Sequence, residues 1–465
     1  MKGNRTQNVA QAPSPVQTRS PVQEPPAAPS KARAASDDSP IPRRQFLSRT
    51  VKTAAVFALV PRHVLGGPGF TPPSEVITRA VLGTGGRGMA GHVTVNKEGE
   101  PPVTLAVCDV DQNHLAAAMK KVERACQAYT DFRRVLERKD IDTVHIATPP
   151  HWHAIMCIEA ADAGKDVLCE KPMTKFIGEG QKVIEAIKRN GRVFQIGTYN
   201  RFGKCYDFGA SSKLRKLVQS GLLGSPLTVR VDPRRGFNWK VKQWIGRTDL
   251  TPQPVPSELD YEMWLGPAPR KPYHPDRVHG KFRGYWDYDG GGLSDMAQHY
   301  LDPIQYVLGK DGAMPVEVEA QAPWPPHPDA VQMWGQARLT YADGTTLILT
   351  TDEWGEPAPD GLPFLEGPKG KVYANYQTDP PGLFEQVESL PDPPPLVQFP
   401  TAVRTRQQPG GNAESSHRSI ALAHLANIAI RTGRKLRWDP RKEEFIGDEE
   451  ANRFVHLPMR APWHL

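Results

Sequence analysis

Residues 290–302 read GGGLSDMAQHYLD, and within them Asp295 stands four positions before His299. On a helix, side chains at i and i+4 share one face, so a carboxylate and an imidazole can be aimed at one atom. An imidazole titrates near pH 6.5 and suits removal of a hydroxyl proton. The carboxylate can bind a neighbouring hydroxyl or orient the site. Such a pair fits a secondary alcohol that loses a proton while its carbon gives up hydride. The alternative is a helix-surface Asp/His pair without chemistry, and the rest of the chain has to decide between them. The three glycines would let backbone pass close to cofactor and substrate, and a helix beginning near Leu293 would fix the geometry.

A hydride needs an acceptor, and a second stretch offers a place for one. EVITRAVLGTGGRGMAGH reads as a strand, Arg79 to Leu82, turning at glycine into a helix. Gly83, Gly85 and Gly88 form G-x-G-x-x-G: a tight turn, a close approach to pyrophosphate, and close helix–strand packing. A second apolar strand, VTLAVC, ends at Asp109, where a carboxylate can accept the adenine-ribose hydroxyls and repel a 2′-phosphate, which favours NAD over NADP. Asp109 could instead cap the following helix, although Asp111 is the better cap. IDTVHIAT, DVLCE and RVFQIG then read as strands separated by helices of about 12 residues, the pattern of a doubly wound parallel sheet. Ligands of such sheets sit beyond the carboxyl ends of the strands. TPPHWH (148–153) and CEKP (169–172) both fall there.

Taken together, GTGGRG, CDVD, ATPPHWH, EKP and GGGLSDMAQH resemble the Gfo/Idh/MocA family of nicotinamide-dependent sugar and inositol oxidoreductases. The resemblance covers roughly residues 75–465 and extends to HLANIAIRTGRKLRWDP and GDEEANRFVHLPMRAPW, like the exported bacterial branch of that family. It implies a Rossmann domain over 74–199 and, over 200–465, an α+β domain with an open, mostly antiparallel sheet that serves as a subunit interface. The runs 225–232, 315–321, 331–341 and 345–354 fit strands of that sheet, with a hairpin turn at 342–344. Residues 377–412, rich in Pro and Gly, read as a surface arm. SSHRSIALAHLANIAIRTG reads as a helix with serine caps and a glycine stop.

The resemblance also implies site residues. Lys171, with a cis peptide before Pro172, is a catalytic residue beside Asp295 and His299, its ammonium steadying a developing alkoxide. Cofactor contacts are expected from Thr84, Gly86 and Arg87 in the glycine turn, from Thr148, Pro149 and His153 after one strand, and from Glu170 and Lys171 after the next. For substrate, Tyr199, Asn200 and Arg201 should face the cleft from the last strand of the first domain. Trp286, Tyr285 and Trp239 could stack on pyranose faces, with core packing the plainer reading for any one of them. His151 and His153 stand at i and i+2 and diverge without a third ligand, so no metal is expected.

The net charge of +7 raises the question of nucleic acid. Residues 1–70 hold ten Lys/Arg and three Asp/Glu, the whole of the excess, and the remaining 395 residues carry 48 of each sign. A phosphate-tracking protein keeps its basic residues on the folded face, so this class is set aside. The five cysteines have no metal-site spacing and read as buried or incidental thiols, with a reactive thiol or disulfide as minor options. Residues 1–73 read as a disordered, Pro/Ala/Ser/Gln-rich leader. Its Arg43-Arg44 pair before Phe46-Leu47 and a short apolar run resembles a twin-arginine export signal. The run is too short for a stable membrane span. Its lysine and the long stretch before the arginines depart from the pattern, and without a working leader the protein stays in the cytoplasm. Export to the periplasm, where free NAD is scarce, implies a tightly held NAD that cycles. Two further readings stay open: an NAD-dependent glycoside hydrolase or lyase using transient oxidation, and a non-catalytic sugar-binding protein.

Overall fold

The computed structural model describes residues 76–90, 103–122, 126–198, 201 and 211–465, and residues 71–465 form one compact unit. The leader, Tyr199, Asn200 and Cys205 lie outside the described residues.

The first layer is a six-stranded sheet. Its strands are β1 (Thr78–Leu82), β2 (Val103–Cys108), β3 (Gln127–Tyr129), β4 (Thr143–Ile146), β5 (Asp166–Cys169) and β6 (Phe194–Ile196). They are ordered β3-β2-β1-β4-β5-β6 and every pairing is parallel. A parallel sheet has to be covered on both faces, and β4 is accordingly buried at every position. Register does the positioning. Leu82 pairs with Cys108 and Ile146, Ile146 with Cys169, and Cys169 with Ile196. The next residue of each strand, Gly83, Asp109, Ala147, Glu170 and Gly197, therefore lies along one sheet edge. Crossovers run through α1 (Gln112–Met119), α2 (Phe132–Leu136), α3 (His153–Asp162) and α4 (Ile177–Arg189). Asp111 caps α1, accepting from the amides of Asn113 and His114. After the glycines only a short 3-10 turn, Arg87–Met89, is described.

The second layer begins with α5 (Ser211–Gln219) and β7 (Thr228–Val231), and α6 (Gly291–Leu308) follows. The remaining strands are β8 (Glu317–Gln321), β9 (Gln336–Thr340), β10 (Thr346–Thr350), β11 (Leu365–Gly367), β12 (Gly370–Val372), β13 (Thr378–Asp379), β14 (Leu436–Asp439) and β15 (Glu444–Phe445), with α7 (Ala413–Thr432) before β14. The nine strands make one sheet in the order β13-β12-β11-β7-β10-β9-β8-β14-β15. It is antiparallel except where β7 meets β10. The β9–β10 hairpin turns at Gly344, whose φ of +84° needs glycine.

The 377–412 stretch lies mostly at the surface, as read, and is anchored there at points: Leu383, Val387 and Ala402 are buried, Arg406 pairs with Asp166, and the Gly411 carbonyl accepts from the Ile196 amide. The cap of α7 is Asn412 rather than a serine; it accepts from the Ser415 amide, and Gly433 ends that helix in the left-handed conformation.

Helix α6 is buried at every position except Leu308, although it carries Ser294, Asp295, Gln298, Asp302 and Gln305. Burying polar side chains is tolerated when each finds a partner, and these do. Ser294 accepts from Asn427, Gln298 bridges the Met173 amide and the Ser416 carbonyl, Asp302 pairs with Arg201, and Gln305 accepts from Tyr341. The helix starts at Gly291, earlier than Leu293, and its glycines answer to the core rather than to a ligand. A Cβ at Gly292 would stand 2.5 Å from the Trp239 carbonyl oxygen, and one at Gly291 2.6 Å from Val331.

Candidate active site

A cleft of about 500 Å³ runs along the sheet edge, lined among others by Gly83, Gly85, Gly86, Arg87, Asp109, Thr148, Pro149, Glu170, Lys171, Asp295 and His299. It thus joins the glycine turn to the acid–base helix.

At one end, Gly83 has φ +87° and sits so close to β4 that a Cβ would lie 2.7 Å from the Ala147 carbonyl oxygen. A Cβ on Gly88 would run into the Gly83 carbonyl, the close packing expected of the third glycine, while one on Gly86 would meet open space. Asp109 stands opposite. It accepts from the Thr84 amide at 2.7 Å, the Thr84 hydroxyl at 3.1 Å and the Asp111 amide at 3.0 Å. Burial pushes the Asp109 carboxyl up, but the His114 ring and these amides outweigh it and hold it below the usual carboxylate range. A glycine turn that leaves open space beside an ionised carboxylate fits a dinucleotide: the turn can face its pyrophosphate and Asp109 its ribose diol.

At the other end, the Lys171 ammonium donates to the Asp295 carboxylate at 2.9 Å and to the Asp295 carbonyl at 2.7 Å. The peptide between Lys171 and Pro172 is cis. Asp295 also accepts from Arg283 Nε at 2.7 Å and from the Trp244 indole at 3.0 Å. Burial would raise the Asp295 carboxyl; the Lys171 and Arg283 charges overcome this and hold it far below the ordinary range. One turn on, His299 is pushed down to about 3, by burial first and the Lys171 charge second. At neutral pH it is a neutral imidazole in a largely dry wall.

The loop carrying Lys171 is tied down from below. His153 lies beneath the cleft wall, its nitrogens 2.7 Å from the Pro172 carbonyl and 2.8 Å from the Thr148 carbonyl. It clamps two loops and does not line the cleft, which corrects its expected cofactor contact. The His151 ring faces the Trp264 carbonyl at 3.0 Å. Thr84 is buried behind Asp109. Glu170 lies 3.6 Å from Arg87 and 3.5 Å from His145.

Two proposed substrate contacts are elsewhere. Arg201 is fully buried, bonded to Asp302 at 2.7 and 2.9 Å and to Asp311 at 2.8 and 3.0 Å. Its guanidinium ties the end of β6 to α6 and faces no cleft. Trp286 is buried with its indole donating to the His327 carbonyl and Arg431 over its ring. Tyr285 and Trp239 are likewise core side chains, bonded to the carbonyls of Arg247 and Thr350. The aromatics that line the cleft are instead Phe132, Trp152, Trp244, Trp264 and Phe282. Arg283 and Trp244 were not singled out in the sequence. They lie close in sequence to Tyr285 and Trp239, but nothing local says which side chains turn toward Asp295.

Comparison with known proteins agrees with this architecture. Residues 77–198 match the NAD-binding Rossmann fold of the Gfo/Idh/MocA oxidoreductases, and residues 209–465 match that family's C-terminal alpha/beta domain. The chain belongs to the Gfo/Idh/MocA oxidoreductase family. Among similar proteins, an inositol 2-dehydrogenase of Salmonella paratyphi B is 35% identical over 168 residues, 35% of this chain and 46% of that protein. One from Leifsonia xyli is 26% identical over 280 residues, 57% of this chain and 78% of that one. The chain thus spans about half the length of the first of these Gfo/Idh/MocA relatives. A solved WlbA dehydrogenase from Chromobacterium violaceum, in complex with NADH and UDP-GlcNAcA, shares the fold: its TM-score is 0.55 at 19% identity, over 78% of this chain and 96% of that one.

Proposed function

We propose that this protein is an NAD-dependent oxidoreductase that acts on a secondary alcohol of a sugar, glycoside or polyol. The observation that carries this reading is the Lys171–Asp295 pair, with His299 one turn further, in the same cleft as the glycine turn and Asp109. Bound NAD would supply the hydride acceptor, held by Gly83, Gly85, Gly86, Asp109 and the loops at Thr148 and Glu170. The Lys171 ammonium binds the reacting oxygen and stabilises it as it gains negative charge. The neutral His299 imidazole accepts the hydroxyl proton. Asp295, its oxygens already taken by Lys171, Arg283 and Trp244, positions the ammonium rather than a substrate hydroxyl. Dehydrogenase names among relatives, inositol 2-dehydrogenase repeatedly, support this substrate class.

The test is nucleotide reduction, followed at 340 nm across a panel of inositols, aldoses and glycosides, as turnover of added NAD or, where the nucleotide stays bound, as one reduction per chain. Reduction with at least one, lost in Lys171→Met while NAD is still held, is expected. Reduction undiminished in Lys171→Met, or release of nitrophenol from a nitrophenyl glycoside without net NADH, would overturn the proposal.

Three finer readings belong with it. The twin-arginine pattern at Arg43-Arg44 supports export to the periplasm by the twin-arginine machinery, and Arg43→Lys with Arg44→Lys should keep the protein in the cytoplasm. An exported enzyme should retain its NAD, so nucleotide should appear in the supernatant of the denatured protein. Purified protein that is empty yet saturable by added NAD would count against retention. The nine-stranded sheet is the surface by which we expect the chain to form a homo-oligomer, to be measured as solution mass.

A further inference from the structure

The Asp109 end of the cleft holds three side chains that the hydride chemistry does not use. Asp111 caps α1 with one carboxylate oxygen and turns the other toward Nε2 of His279, 3.4 Å away. His114, on the first turn of α1, packs edge to face against His279 with ring centroids 4.7 Å apart. One ligand atom from each of the three falls within 4.8 Å of the others. The grouping is nonlocal: 165 positions separate His114 from His279. His279 is held at φ +51°, a left-handed conformation that a non-glycine side chain rarely adopts.

We propose that Asp111, His114 and His279 form a binding site for a divalent first-row transition-metal ion at the mouth of the cleft. Two imidazoles and one carboxylate suit zinc, cobalt or nickel, whereas an all-oxygen set would suit magnesium or calcium. Nitrogen and carboxylate ligands sit about 2.0–2.2 Å from zinc, so tetrahedral ligands are about 3.4 Å apart. Binding therefore draws in side chains that start within 4.8 Å of one another, a side-chain rotation rather than a backbone rearrangement. Asp109, 3.6 Å from Nδ1 of His114, supplies the outer carboxylate that orients metal-binding histidines. Three protein ligands leave a coordination position open. The ion would join the Rossmann lobe, through Asp111 and His114, to the loop that four residues later presents Arg283 to Asp295. Metal occupancy would then bear on how well Asp295 is held.

The experiment uses the full chain without a histidine tag, stripped by chelator and titrated with Zn²⁺ by calorimetry and with Co²⁺ by visible absorption. One ion per chain is expected, with Co²⁺ bands typical of mixed nitrogen–oxygen ligation. His279→Ala and His114→Ala should each weaken Zn²⁺ binding about 10- to 100-fold, while His464→Gln, at an exposed histidine outside the cleft, should leave it unchanged. Circular dichroism and melting show whether each variant folds. Asp111→Asn keeps the helix cap and removes the anionic ligand, so it serves if a histidine variant does not fold. Absence of saturable Zn²⁺ binding, binding unchanged in His279→Ala and Asp111→Asn, or binding lost in His464→Gln would each overturn the proposal.

Discussion

The proposed proton acceptor, His299, gives the sharpest test, because its environment and its ordinary behaviour predict different pH profiles. A solvated histidine near pKa 6.5 falls from about three-quarters neutral at about pH 7 to about one-tenth at about pH 5.5, so kcat/KM for oxidation would drop about eightfold. His299, pushed down to about 3 by burial and then by Lys171, stays more than about 99% neutral over the same interval, and its acid limb should be flat to within about 10%. Asp289, which acts on Asp295, also titrates in this window, pushed up to about 7 by burial and then by Asp295. The profile is therefore measured on the native protein and on Asp289→Asn, at saturating NAD.

The protein has to stay folded across the window, and the signs can be worked out. For His299, and for His151 and His424, each also pushed down to about 3 by burial first, the unfolded chain takes the proton first. Their contribution is complete above about pH 6.5 and is lost as pH falls toward 3. Glu179 and Asp289, both pushed up to about 7 by burial first, are protonated first in the folded chain and stabilise it as pH falls below 7. The two groups oppose each other, so stability should change little down to about pH 5.5, to be verified by melting at each pH. A limb centred near 6.5 in both proteins, with the fold intact, would mean that the His299 imidazole is solvated, and the account of a dry proton acceptor would fail.

Other outcomes follow from single contacts. Arg201→Met leaves Asp302 without its buried cation and should destabilise the fold by about 3–5 kcal/mol in urea unfolding; a KM effect with unchanged stability would restore Arg201 to the substrate site. Gly88→Ala places a methyl against the Gly83 carbonyl and should weaken NAD binding at least about tenfold by fluorescence titration. Asp109→Asn removes the charge that faces the ribose and should raise the NADP-to-NAD ratio of kcat/KM by about tenfold or more in chelator-treated protein. Trp244→Phe removes a donor to Asp295 and should lower kcat about threefold to tenfold while leaving NAD affinity unchanged; an unchanged kcat would show that the indole bond is dispensable.

Much of this was legible in the chain, and the division has a physical reason. Backbone-driven features follow from local pattern: the alternation of apolar runs and helices gives the doubly wound parallel sheet, whereas its strand order and the short β3 appear only in the structure, whose register aligns the strand ends. Asp295 and His299 were legible because a helix fixes the i, i+4 relation. Side-chain direction in irregular segments was not legible. Trp239 and Trp244 lie five positions apart in one loop, yet the first bonds the Thr350 carbonyl inside the core and the second bonds Asp295 in the cleft. Arg201 follows the last strand of the first lobe, where a ligand contact is reasonable, but a carboxylate 101 positions away on α6 captures it. The cluster at His114 and His279 is nonlocal in the same way, and only folding brings it together.

Counting donors at Lys171 shows how so buried a carboxylate is compatible with the proposed reaction. An ammonium has three N–H groups, and Lys171 directs two to Asp295, one to the carboxylate and one to the backbone carbonyl. One remains for the substrate oxygen. If Asp295 lacked other partners, its charge would compete with a developing alkoxide for the ammonium, and the alkoxide would gain little. Arg283 and Trp244 draw on the same carboxylate from other sides, which spreads its charge and weakens its hold on Lys171. Removing Arg283 should therefore slow the chemical step by tightening the Lys171–Asp295 pair, even though the loss adds room to the cleft. Arg283→Met is expected to lower kcat more than it raises KM, and a pure KM effect would show that Arg283 binds substrate directly.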